Sequence, residues 1–190
     1  MDERIAGWDV MGTVFDIAPV TERFGEAAMP RLLHLALSLQ STGRFVPFPQ
    51  LVEAVLGEEA LEVFASLDPF EDAEPALRAL RDGGVRSVTL TNGSAENTRT
   101  LLERASLQGY FEDVLTVEQV ERYKPAPEPY ALVDAGSTVF LAAHDWDIAG
   151  ARAAGLRAIY VDRSGEGWKL PGAEPEIAAD LVAAAELALR

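Results

Sequence analysis

Asp9, Lys124 and Asp147 are the residues whose types and settings suit one another chemically. Each belongs to one of four short polar motifs: WDVMGTVFD (Trp8 to Asp16), LTNGS (Leu90 to Ser94), RYKPAPEPY (Arg122 to Tyr130) and AAHDWDIAGARAAG (Ala142 to Gly155). Each motif lies at or just past the C-terminal end of a predicted strand. In one parallel sheet those ends would bring together an early carboxylate, a hydroxyl–amide pair, a lysine and a late carboxylate. Such a grouping suits a carboxylate nucleophile held beside a cation and a hydrogen-bonding cradle.

Each motif has a functional and a plain reading. Asp9 precedes Met11–Gly12–Thr13, where a glycine allows a tight turn with inward backbone N–H groups, an anion cradle. Asp9 could attack an electrophilic carbon or phosphorus there, or simply form the turn. Thr91 and Asn92 offer side-chain donors ahead of a helix that Ser94 can cap. Lys124, stiffened by Pro125 and Pro127, could keep Asp9 ionised and balance an anionic substrate; a lone lysine is otherwise a solvated side chain. Tyr130 is either a substrate-side hydroxyl or a core aromatic with its oxygen satisfied. His144 could polarise a water or be a half-buried ring. Asp147 could pair with Lys124, activate a water, or cap the helix that follows.

The elements that must position these groups alternate. Arg4–Val10, Ser87–Thr91, Asp113–Val117, Thr138–Ala143 and Leu156–Asp162 read as strands, the first weakly because Ala6–Gly7 sits in its middle. Helical patterns cover Glu71–Arg81, Ser94–Leu107, Pro127–Asp134, Asp147–Ala154 and Ala-rich Glu176–Arg190. Crossovers of this length predict an α/β fold with a doubly wound parallel sheet. Between Ile17 and Phe70 only helical segments occur, Pro30–Gln40 and Pro49–Ser66, which read as a small inserted α-helical cap. The expected division is a core of residues 1–16 and 71–190 and a cap of residues 17–70.

Composition narrows the chemistry. The 190 residues carry a formal net charge of -15, which argues against phosphate-backbone binding, so no nucleic-acid partner is expected. The absence of cysteine excludes disulfides, thiolate metal sites and cysteine nucleophiles. The charged start MDERIAGWDV shows no leader or membrane span, so the expectation is a cytoplasmic protein with no membrane partner. A homodimer is left open.

The four motifs in this order, with the helical insertion after the first, resemble the haloacid dehalogenase-like (HAD) hydrolase superfamily, most closely its 2-haloacid dehalogenase branch. Phosphatases of that superfamily carry a second aspartate where this chain has Met11, and an acidic magnesium ligand where it has Ala143. A halide needs neither proton nor metal to leave. Lys124 to Tyr130 (Lys-Pro-x-x-x-x-Tyr) and Trp146 to Ala151 (Trp-Asp-x-x-Gly-Ala) look like the dehalogenase forms. The resemblance implies a hydrolase with Asp9 as nucleophile, oriented by Thr13. Lys124 would stabilise the carboxylates, and Asp147, with His144, would help water cleave the ester. Met11, Gly12, Thr91, Asn92, Tyr130 and Trp146 would line the substrate site. The implied substrate is a small anionic haloacid, with no cofactor; magnesium enters only under the alternative, a phosphatase of small phosphate esters. A non-catalytic protein on the same scaffold is the other alternative. The arginine of the family's cap falls at Met29 here, with Arg31 and Arg44 nearby, and the serine and asparagine of its last motif fall at Ala142 and His144.

Overall fold

Ala6 and Gly7, which weaken the first strand as a pattern, are what its place in the sheet demands. β1 (Ile5–Trp8) runs between β2 (Arg86–Thr91) and β4 (Thr138–Ala142), parallel to both. A Cβ on Gly7 would lie 3.2 Å from the Phe140 ring, so a larger residue would push that ring aside. Trp8 supplies the bulk: it is fully buried, and its indole N–H donates to Ser87 Oγ at 3.1 Å.

The computed structural model describes residues 4–190; Met1–Glu3, read from sequence as the head of the core, lie outside the described residues. With β3 (Phe111–Thr116), β5 (Arg157–Val161) and β6 (Glu176–Ala178), the sheet has six parallel strands in the order β3-β2-β1-β4-β5-β6. The chain builds outward from β1 through β2 to β3, then returns to lay β4, β5 and β6 on the other side. The crevice outside the strand C-termini at such a reversal is where open α/β sheets bind ligands. It lies beside β1, the strand that leads into Asp9.

Period-two alternation divides the strands between two cores. Trp8, Leu141 and Ile159 face α5 (Ala73–Asp82), α6 (Ala95–Arg104) and α9 (Leu181–Ala188). Leu90, Phe140 and Ala142 face the other way, toward α7 (Pro127–Tyr130) and α8 (Asp145–Ala153). Between β1 and α5 lie α1 (Ala18–Phe24), α2 (Ala28–Ser41), α3 (Phe48–Leu56) and α4 (Glu59–Phe64). Where this segment leaves and rejoins the rest, Asp16 N–H donates to Asp68 O and Phe70 N–H to Val14 O, both at 2.9 Å. Arg163 clamps the same place, forming a two-pronged pair with Asp72, stacking on Phe70 and donating to Thr13 O.

Four element readings need correction. The predicted helix over Pro49–Ser66 is two helices, because Gly57 takes φ 96, which breaks the hydrogen-bond ladder. The closing helix starts only at Leu181, and Glu176–Ala178 is the edge strand β6. The helix from Pro127 ends at Tyr130 instead of Asp134. Asp147 does not cap α8: His144 holds the cap position and Asp147 lies in the first turn, its side chain turned inward. Among the described residues no helix is long and apolar enough to cross a membrane.

Candidate functional site

The turn after β1 fixes Asp9 by its backbone before its side chain is engaged. Asp9 N–H donates to Leu141 O at 3.0 Å, tying the residue to the end of β4. Gly12 has φ 82, and a Cβ there would lie 2.9 Å from the His144 ring, so only glycine fits. Four residues past Asp9 the chain has curled back far enough for Thr13 Oγ1 to donate to Asp9 Oδ2 at 2.7 Å. That hydroxyl is itself placed by the Ala143 N–H, which donates to it at 2.9 Å.

Lys124 arrives from the segment after β3. Its N–H donates to Asn92 Oδ1 at 2.9 Å, so Asn92 anchors the lysine backbone to the end of β2. The side chain is fully buried, and its ammonium places each of its three protons. They go to Asp9 Oδ1 at 2.9 Å, Leu90 O at 2.7 Å and Asp147 Oδ2 at 2.5 Å. The other Asp147 oxygen, Oδ1, accepts from the Tyr130 hydroxyl at 2.5 Å. Two carboxylates thus share one ammonium, and hydroxyls hold their remaining oxygens.

The electrostatics of the two acids diverge. Burial opposes ionisation of Asp9, but the Lys124 ammonium, His144 and the Thr13 hydroxyl outweigh it and hold the carboxyl below its usual range. For Asp147 burial prevails, reinforced by the nearby Asp9 charge, and its affinity for a proton rises. Burial works against the charge on Lys124, yet Asp147 and Asp9 raise its pKa above the ordinary value. Burial and the Asp147 carboxylate push the Tyr130 hydroxyl up, so it remains a donor.

A cavity of about 330 Å³ opens above this cluster. Asp9, Met11, Thr91, Asn92, His144 and Trp146, all expected at the site, line it. Its remaining wall comes mostly from the helical segment, including Ile17, Met29, Leu33 and Phe48. Sequence reasoning reached Met29, as the place of the family's cap arginine, and missed the others, since nothing distinguishes them from core residues. His144 Nε2 lies 2.8 Å from Met11 O and 3.6 Å from Asp9 Oδ2, and its ring stacks on Trp146 at 5.4 Å. A carbonyl only accepts, so Nε2 carries a proton.

Several expected roles do not fit this arrangement. Lys124, Asp147 and Tyr130 are buried behind the cavity, and the Tyr130 hydroxyl is taken by Asp147, so it offers nothing to a substrate. The Gly12 N–H donates to Phe15 O at 2.8 Å, so that one donor of the turn is taken. Arg31 and Arg44 are exposed and do not line the cavity. The cluster also makes a poor magnesium site. Among the described residues no group of three or more His, Asp or Glu is placed to hold a metal ion, and the ammonium stands between the two carboxylates.

Comparison with known proteins follows the same line. A family model described as haloacid dehalogenase-like hydrolase matches residues 23–155. Haloacetate dehalogenase H-2 of Moraxella sp. (strain B) is 32% identical over 121 residues, which is 60% of this chain and 54% of that enzyme. The chain therefore spans about half the length of that relative. (S)-2-haloacid dehalogenase 2 of Pseudomonas sp. (strain CBS-3) is 24% identical over 89% of this chain and 88% of its own. The crystal structure of the L-2-haloacid dehalogenase RSc1362 superposes with a TM-score of 0.90 at 26% identity, covering 100% of both chains.

Proposed function

The chain belongs to the haloacid dehalogenase-like hydrolase family, and on that basis we propose that it hydrolyses a carbon–halogen bond through an ester formed on Asp9, without a metal ion. The observation that carries this reading is the Lys124 ammonium fixed between Asp9 and Asp147, with the edge of Asp9 on the cavity. An ammonium in that position keeps Asp9 ionised as a nucleophile and occupies the ground a divalent cation would need.

In the first step Asp9 Oδ2, the oxygen nearer His144, attacks the halogen-bearing carbon. A carbon–oxygen bond forms as the carbon–halogen bond breaks, and halide leaves with the bonding pair. Oδ1 becomes the ester carbonyl oxygen, still 2.9 Å from the Lys124 ammonium. In the second step water attacks the Asp9 carbonyl carbon and passes a proton to His144. The intermediate then collapses: the Cγ–Oδ2 bond breaks, the alcohol leaves with the proton returned by His144, and the regenerated Asp9 carboxyl ionises. Lys124 stabilises the oxyanion at Oδ1. Asp147 acts through Lys124, since it is buried and both its oxygens are bonded. Thr13 orients Asp9, Asn92 holds the lysine backbone, and Met11, Thr91 and Trp146 shape the cavity. Residues 17–70 serve as a cap over a core of residues 1–16 and 71–190, shielding the ester from bulk water.

The test is halide release from a panel of charged and neutral organohalides, with added magnesium and with chelator. Release is expected to be indifferent to both additions and to vanish in Asp9→Asn. Hydrolysis of a generic phosphate ester that needs magnesium, with no halide release, would replace this reading with the phosphatase one.

A further inference from the structure

Tyr123, the residue just before Lys124, is tied to the helical segment of residues 17–70 at two separate points. Its N–H donates to Gln40 Oε1 at 2.5 Å, near the end of α2. Its hydroxyl donates to Val46 O at 2.7 Å, just ahead of α3. Between those two partners residues 42–47 form no helix, and the Phe45 ring packs on that of Tyr123 at 5.2 Å. Tyr123 is 1% exposed, and burial with the nearby Glu118 carboxylate pushes its phenol up, so the hydroxyl stays a donor. Away from residues 14–18 and 68–73, where the chain crosses, one other hydrogen bond joins the segment to the rest among the described residues. It runs from Asn97 Nδ2 to Phe64 O at 3.2 Å.

One residue on, the Lys124 N–H donates instead to Asn92 Oδ1, at 2.9 Å, on the turn after β2. Consecutive N–H groups thus hold a two-residue strip between the helical segment and the sheet. Consecutive Cα atoms stay about 3.8 Å apart, so Tyr123 cannot shift with the segment without carrying the Lys124 backbone along. The ammonium reaches Asp9, Leu90 and Asp147 at 2.9, 2.7 and 2.5 Å, a fit that tolerates little displacement. A tyrosine that only filled the core would need one partner, for its hydroxyl. This one also lines the cavity and gives both its donors to the segment above it.

We propose that Tyr123 is a positioning residue for the Asp9 chemistry, latching residues 40–46 of the cap to the strip that sets the Lys124 ammonium between Asp9 and Asp147. Seating of the cap and seating of the ammonium are then one event, and Asp9 has its full cationic partner only beneath a closed cap. The claim rests on the Asp9 ester reading for its effect on turnover. The latch itself is a matter of geometry and can be read without turnover.

The experiment uses the full-length protein and the fact that Lys124 and Lys169 are its only lysines, the first buried and the second exposed. Acetic anhydride is applied at low conversion, and mass spectrometry gives acetylation of Lys124 relative to Lys169. Tyr123→Phe removes the bond to Val46 and keeps the ring; Gln40→Met removes the other acceptor. Asn97→Ala, which deletes the third bond and leaves the strip untouched, is the control for a cap that is merely loosened. Both latch variants are expected to acetylate Lys124 at least threefold faster than Asn97→Ala does. A smaller difference in either overturns the proposal, since Tyr123 would then be one structural contact among others. Halide release from 2-bromopropionate is measured beside it and is expected to fall at least threefold in both latch variants. Exposure of Lys124 with undiminished release also overturns the positioning role. Exposure as expected, with no release even from the unmodified protein, would instead sink the Asp9 mechanism and leave the latch standing.

Discussion

Replacing Lys124 by methionine tests the central cluster most severely, because a side chain of similar length then carries no charge between two buried carboxylates. Lys124 is fully buried, as is Asp147, and Asp9 is 4% exposed, so solvent screening is slight. Breaking a buried pair by removing one partner costs about 3–5 kcal/mol, and here two acids lose the same partner. At about 2–4 °C per kcal/mol for a chain of this size, the melting temperature at pH 7 should fall by about 6–20 °C. The loss depends on pH. In the parent protein the Asp9 pKa lies below its ordinary value, so its stabilising contribution is present above the unfolded pKa and fades as pH falls through the folded one. In the variant the like-charge pair raises at least one carboxyl pKa, and stability falls as pH rises. The gap between the two proteins should therefore narrow as pH falls from 7, first as the variant's raised carboxyl takes up its proton and then, below about pH 4, as Asp9 of the parent does. Adding Asp147→Asn, which removes one of the stranded charges, should recover part of the loss. Urea unfolding at pH 7 and pH 4 reads all three outcomes. A loss under about 1 kcal/mol at pH 7, or one that does not shrink in acid, would refute the idea that one ammonium holds two ionised carboxylates.

Tyr130→Phe removes the hydroxyl that bonds Asp147 Oδ1, a hydrogen bond to a charged group worth about 1.5–3 kcal/mol; since Tyr130 lies outside the cavity, turnover should fall while KM stays near its original value. Gly12→Ala forces a positive φ on a side-chain-bearing residue and drives a methyl into the His144 ring, so stability should drop by about 1–3 kcal/mol and halide release at least tenfold, read by thermal melting and halide assay together. Incubation with a chelator should leave both the melting temperature and halide release unchanged, because an ammonium takes the place between the carboxylates.

The cluster was legible because its members sit next to strong signals. Asp9, Asn92 and the His144–Asp147 run each follow a strand, and a doubly wound sheet must bring such ends together. Lys124 stood out through its prolines and its company. The apolar run of β4 and the cap at Ser94 marked the core equally well. What could not be read depends on direction more than on type. Asp147 has the side chain of a good N-cap, and only tertiary geometry reveals that it turns inward to Lys124 and Tyr130. Nothing in the pattern tells Leu33 or Phe48 on a cavity wall from the same residues in a core. β6 has only three residues, set by its pairing with β5, and its alanine merged with the helix that follows. Gly57 was visible but is ambiguous inside a helical pattern until its φ is known.

A single turnover with enzyme in excess, run in water enriched in oxygen-18, tests the covalent route itself. If Asp9 supplies the oxygen, the alcohol emerges unlabelled and mass spectrometry finds the heavy isotope in the peptide containing Asp9. Heavy oxygen in the alcohol with an unlabelled Asp9 peptide would mean that water attacks the substrate directly, and the account would be wrong.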